Sequence, residues 1–180
     1  MNFDPKNLIE YEATIPVEEY IAKYVDFKAT EVRCKECTNY GTRWFCPPYD
    51  FDPVEDVWKK YSDFKVFCVK MMTAGIGHDD VIPMFFEAKK YFDEVLLKRE
   101  SECEGSLAVS AGFCARCETC ARTEGKPCRM PEKARCAIEA LGGLVDGTIK
   151  GLFDFDVLWA KGGEHPEYYI LIGGLLTGKK

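Results

Sequence analysis

Phe64-Lys65-Val66-Phe67-Cys68-Val69-Lys70-Met71-Met72 is the clearest strand signal in the chain, a mostly apolar run bounded by Ser62-Asp63 and by the Gly-containing loop Thr73 to Asp80. Inside it, Cys68 reads as a buried small hydrophobe. Toward the C-terminus, Asp80 is placed to cap a helix running to about Glu102, with Val81, Phe85, Ala88, Phe92 and Val95 as its apolar stripe. Ser106 to Ser110 reads as a second short strand that delivers the chain into a cysteine-rich loop from Gly112 to Pro131. Beyond the loop, Ala134, Ala137, Ile138 and Leu141 have helical spacing, and Gly142-Gly143 stops that helix. Leu144-Val145 is a candidate third strand, residues 148 to 158 are ambiguous between helix and extended chain, and Tyr168 to Leu176 reads as the last strand.

Toward the N-terminus, Asp52-Pro53-Val54-Glu55 is a variant capping box that opens a helix with Val54, Val57, Trp58 and Tyr61 at helical spacing. Pro16 opens a short amphipathic helix with Val17, Tyr20, Ile21 and Tyr24 on one side, and the residues before it are acidic and irregular. This order fits a single α+β domain over residues 1–180, a small sheet layered with helices. Its topology is compatible with a ferredoxin-like split βαβ carrying the cysteine loop between its central strands. An N-terminal segment of about 1–62 holds the first cysteine group, and a core of about 63–180 holds the second.

The ten cysteines do not call for disulfides. At 180 residues and 47% hydrophobic content the chain can build a core without crosslinks. Its first residues lack the basic and apolar run of a signal peptide, and its apolar segments are too short to span a bilayer. The expectation is a cytoplasmic, reducing-compartment protein, where clustered cysteines bind metal or do redox chemistry. The net charge of −6 argues against a nucleic-acid or anionic-membrane partner. Locally the balance reverses: from Cys114 to Cys136, Arg116, Arg122, Lys126, Arg129, Lys133 and Arg135 stand against Glu118, Glu124 and Glu132. Such cations would stabilise an anionic thiolate centre, or they form an ordinary solvated face.

Two groups carry the chemistry. Cys114-x2-Cys117-x2-Cys120, with Cys128 eight residues on, puts four thiols within fifteen residues on a Gly- and Pro-punctuated loop. Overlapping CxxCxxC is how ferredoxins wrap a cubane corner, whereas a zinc ribbon offers two separated CxxC pairs, so this loop favours iron. Cys34-x2-Cys37 and Cys46-Pro47 form the second group, with three ligands visible and no fourth. Cys128 closes a local four-cysteine site, or Cys46 completes the trio and the groups exchange ligands; a zinc site from Cys34, Cys37, Cys117 and Cys120 is also possible. Cys136 reads as a partly buried thiol within reach of the loop. His78 and His165 are too few, and too far from the cysteines in sequence, to suggest a mixed site.

These residues resemble a known family, the cysteine-rich predicted metal-binding proteins of domain of unknown function 2284. The likeness rests on Cys34-x2-Cys37, Tyr40-Gly41, Cys46-Pro47-Pro48, Gly112-x-Cys114-x2-Cys117-x2-Cys120, Cys128-Arg129-x-Pro131 and Glu139-Ala140-x-Gly142, and covers nearly the whole chain. It implies metal ligation by Cys34, Cys37, Cys46, Cys114, Cys117, Cys120 and Cys128, and implies no reaction. The family typically shows Ser-Met-Glu-Ala where this chain has Cys136-Ala-Ile-Glu-Ala, which implies that Cys136 is not a required ligand.

Three functions fit the residues. One or two 4Fe-4S clusters could pass electrons to a redox partner protein or small molecule. A three-cysteine cluster on Cys34, Cys37 and Cys46 could instead act as a Lewis acid, with Arg43 or Arg129 orienting an anionic group. Zinc could close the loops of a binding module that has no catalysis. No nucleophilic triad, paired-carboxylate signature, phosphate loop or dinucleotide fingerprint is present, so hydrolase, kinase and nicotinamide-enzyme readings have no support.

Overall fold

The computed structural model describes residues 3 to 179. Phe64 to Met72 lies in β2 (Asp63–Met72), an inner strand of a four-stranded antiparallel sheet. With β1 (Leu8–Pro16), β3 (Leu107–Val109) and β4 (Tyr168–Thr177) the spatial order is β1-β2-β4-β3. Because β2 and β3 are each antiparallel to β4, they run the same way on either side of it, joined by the long helix α3 (Val81–Ser101). This is a split βαβ unit. The cysteine loop leaves the edge strand β3 rather than linking the two inner strands, and a further helix, α4 (Val145–Phe153), precedes β4.

The side-chain alternation of β2 builds two cores. Phe64, Val66 and Cys68 face Tyr20 of α1 (Val17–Tyr24), Trp58, Ile138, Leu141 and Ile149 of α4. Phe67, Val69 and Met71 face Val81, Met84, Ala88, Phe92 and Leu96 of α3. The fold is therefore α+β in three layers, with α3 alone on one face. At Gly173 and Gly174 in β4 an added Cβ would collide with the carbonyls of Val109 and Lys65, so the paired strands depend on glycine there. Among the described residues no helix is long and apolar enough to cross a membrane.

Several elements differ from expectation. Residues 8–16 form an edge strand whose Tyr11, Ala13 and Ile15 turn inward and Glu10, Glu12 and Thr14 outward, a period-2 signal masked by the acidic composition. Asp52 caps as expected, accepting hydrogen bonds from the Val54 and Glu55 amides. The segment it opens is a π-helical turn (Pro53–Val57) running into a 3-10 turn (Trp58–Lys60). Asp80 makes no side-chain cap at α3. The helix expected after Pro131 is absent: Ser110 donates to the Cys136 carbonyl (2.8 Å), Ile138 donates back to Ser110 (2.9 Å), and residues 136–138 extend the sheet edge instead. Ala134, Ala137, Ile138 and Leu141 are buried all the same, by strand-like pairing and a 3-10 turn (Glu139–Leu141) rather than by a helical face. Leu144 lies just before α4, so no strand forms at residues 144–145.

Cys68 is fully buried in the sheet, and burial pushes its thiol up to about 12. An unfolded thiol loses its proton near pH 9 while the folded one keeps it to about pH 12. The unfolded state thus binds fewer protons in that window, and stability falls as pH rises through it. Denaturant unfolding of wild type and Cys68→Ala at pH 7 and pH 11 should show an alkaline loss smaller in the variant by roughly 2–3 kcal/mol. Equal losses would show that Cys68 carries none of the effect.

Candidate metal centre

The first cysteine group hangs from α2 (Phe27–Lys35), whose N-terminus is capped by Asp26 through the Ala29 amide (3.0 Å). Cys34 lies in its last turn. The chain then coils through successive tight turns: Cys37 N donates to Cys34 O, Tyr40 N to Cys37 O, and Cys46 N to Arg43 O, at 3.0–3.2 Å. Gly41, at φ +69°, donates to Pro47 O (2.8 Å), and only a residue tolerant of that conformation closes the loop. These turns return Cys46 to the neighbourhood of Cys34 and Cys37. Cys46 is buried, and its thiol is pushed up to about 12, first by burial and then by the charges of Cys37, Cys34, Cys136 and Glu139. Burial likewise raises Cys34, with Glu139 the strongest of the charges acting on it.

The second group, Cys114, Cys117, Cys120 and Cys128, lies on the loop between Gly112 (φ +62°) and Pro131. A 3-10 turn (Ala121–Glu124) ended by Gly125 folds the loop back, with Thr123 N and Oγ1 both donating to Cys120 O. The Cys114 thiol is raised by burial, opposed by the Arg116 amide and the Lys89 charge, and it also feels Cys128.

Arginines join the two loops. Arg43 Nη1 donates to the carbonyls of Cys114 (3.0 Å) and Cys117 (3.3 Å) while its Nε holds Asn39 Oδ1 (2.6 Å). In the opposite direction, Arg122 donates to the carbonyls of Arg43, Cys46 and Pro48, each at 2.7 Å. Trp44 Nε1 adds a bond to Lys126 O (2.8 Å). Arg43 thus serves as a strut between loops, and Arg129 donates to Thr119 O and faces Glu124. Much of the local basic charge is paired: Arg116 with Glu94, Arg135 with Glu100, and Lys126 with Glu124.

Behind the loops lies a polar cluster that the sequence reading did not assign. Lys89 on α3 is only 3% exposed and pairs with Asp93 (2.8 Å), which accepts a hydrogen bond from Ser110. The signal was available: Lys89 directly follows Ala88 on the stripe that faces the sheet. Cys136 sits between the groups, acting on Cys46 and acted on by Cys114; burial pushes its thiol up to about 11, with the Tyr49 hydroxyl at 3.7 Å opposing this. Glu139 Oε2 is buried without a hydrogen-bond partner. Burial raises the Glu139 carboxyl, against the amides of Glu139 and Gly112 and the Lys89 charge. The rings of His78 and His165 pack in a tilted arrangement, 4.6 Å between centroids and 40° between planes. His78 Nε2 lies 2.9 Å from the Gly163 carbonyl.

All ten cysteines carry free thiols. Among the described residues no three His, Cys, Asp or Glu side chains converge on one metal-sized point. The structure joins the two loops through side chains of one that donate to backbone carbonyls of the other, and leaves the thiols short of ligand geometry. The donor chemistry nonetheless suits a metal: soft thiols on tight turns, and a buried carboxylate oxygen lacking any partner. Comparison with curated proteins and with solved structures gave no match. A family model described as predicted metal-binding protein (DUF2284) matches residues 21–176, a span that takes in both cysteine groups, and the chain belongs to that family.

Proposed function

We propose that the protein holds a 4Fe-4S cluster on Cys114, Cys117, Cys120 and Cys128 and a second metal centre on Cys34, Cys37 and Cys46, and that it transfers electrons in a reducing compartment. The observation that supports this most is the reciprocal arginine stitching, in which Arg43 reaches the second loop and Arg122 the first. Two centres on loops tied this way would be held at a defined separation, which suits electron transfer between them and which a single structural zinc does not need. A bound cluster would supply one-electron redox chemistry. The chain's own residues would anchor it, hold the cysteine loops through arginines bonded to the carbonyls of Cys114, Cys117 and Cys46, and bury Cys46 away from water. Arg43 and Arg129 also remain the candidates for orienting an anionic group at either centre.

The test is iron, acid-labile sulfide and zinc stoichiometry on anaerobically prepared protein, followed by dithionite reduction. Expected are iron and sulfide in near-equal amounts, at four or more of each per chain, with reversible one-electron bleaching. Stoichiometric zinc without sulfide would replace this reading with that of a zinc-stabilised binding module.

A further inference from the structure

Three cysteines make an incomplete site. A tetrahedral ion needs four donors, and each iron of a cubane needs one ligand from outside the cluster. The segment that packs on the helix presenting Cys34 carries two further candidates, Cys136 and Glu139, both of which act on Cys46. Cys136 already has a partner in the Tyr49 hydroxyl. Glu139 does not: its Oε2 is one of two buried side-chain polar atoms left unsatisfied among the described residues. A carboxylate oxygen buried without a donor is costly, and in a folded protein it calls for a missing partner.

The backbone explains how Glu139 comes to be there. It opens the 3-10 turn Glu139–Leu141, which packs on α2, the helix that presents Cys34. Gly142 fixes that packing: its carbonyl accepts from the Asp26 amide (2.8 Å), and at φ +93° it lies flat against Phe27, where a Cβ would come within 3.1 Å of the Phe27 backbone. From this turn against α2 the Glu139 charge acts on both Cys34 and Cys46.

We propose that Glu139 is the oxygen ligand completing the metal centre of Cys34, Cys37 and Cys46. This rests on the reading that those cysteines bind metal. A carboxylate is a harder and more weakly held donor to iron than a thiolate, so the centre would be mixed, with one exchangeable position, unlike the all-thiolate centre on the second loop.

The experiment compares wild type, Glu139→Gln, Glu139→Cys and Cys34→Ala, prepared anaerobically, by metal per chain, rate of metal release to a chelator, and the thiolate-to-metal absorption and EPR spectra. Glu139→Gln is expected to release the metal of the first centre at least about tenfold faster than wild type. Glu139→Cys should hold it at least as long as wild type and shift the charge-transfer band, which a merely structural role for Glu139 would not produce. Thermal unfolding of the metal-free Gln variant, expected at or above the wild-type midpoint because a neutral amide is easier to bury, separates ligand loss from misfolding. If Cys34→Ala loses metal but both Glu139 variants match wild type in release rate and spectrum, Glu139 is not a ligand and the metal site stands. If Cys34→Ala holds as much metal as wild type, the metal reading of the first group fails and takes this assignment with it.

Discussion

Arg122→Ala is expected to release the metal of the first cysteine group about tenfold faster and to lower the stability of the metal-free protein by roughly 2–4 kcal/mol. The magnitude follows from its three hydrogen bonds, each at 2.7 Å and each from a charged donor to a carbonyl of the first loop: Arg43, Cys46 and Pro48. A charged hydrogen bond contributes about 1.5–3 kcal/mol net, and the total is reduced here because the guanidinium is partly open to water. The carbonyls it leaves flank Cys46, so the loss falls on the backbone that returns this thiol to Cys34 and Cys37. Arg122→Lys should rescue little, since a point-like ammonium cannot serve three carbonyls as a planar fork does. Urea unfolding and chelator kinetics on both variants check this. Unchanged metal release in Arg122→Ala would show that the stitching does not hold the centre.

Trp58→Ala carries the largest expected loss of stability, about 3–5 kcal/mol. Trp58 is fully buried and packs on Tyr20 and Phe64 with ring centroids at 5.0 and 5.2 Å. Its indole Nε1 donates to the Leu141 carbonyl at 2.8 Å. Truncation leaves a cavity and an unsatisfied buried carbonyl in the turn that begins at Glu139. The effect should therefore reach the metal centre, with faster release from the first group as well as a lower unfolding midpoint. Trp58→Phe keeps most of the volume and loses only the hydrogen bond, so a cost of roughly 1–2 kcal/mol separates the two contributions. A small loss in Trp58→Ala would mean that the core collapses around the vacancy and that the 139–141 turn is held by other contacts.

Local signals were strong where burial and periodicity coincide. Phe64 to Met72, Tyr168 to Leu176 and the helix from Val81 emerge where their residue patterns place them, and Asp52 caps as its pattern predicts although a π-helical turn and a 3-10 turn replace the expected helix. The pattern failed where one set of buried residues suits two backbones. Ala134, Ala137, Ile138 and Leu141 have helical spacing, yet pairing with Ser110, which no local signal reports, draws the segment along the sheet edge. The strand at 8–16 failed differently, because its outward Glu10 and Glu12 hid an alternation that only the neighbouring β2 makes meaningful.

At the candidate centre the division is similar. Cysteine spacing alone marked two metal-type groups and left the first one ligand short, because spacing reports which donors lie close along the chain. Tertiary structure decided what lies between the groups. Arg43 and Arg122 cross from loop to loop over more than seventy residues of sequence, Lys89 enters from the far layer, and Glu139 arrives with one carboxylate oxygen buried and without a partner. Hydrogen bonding and desolvation act through space, so a donor far away in sequence could be assigned only once the sheet and its turns had brought it there.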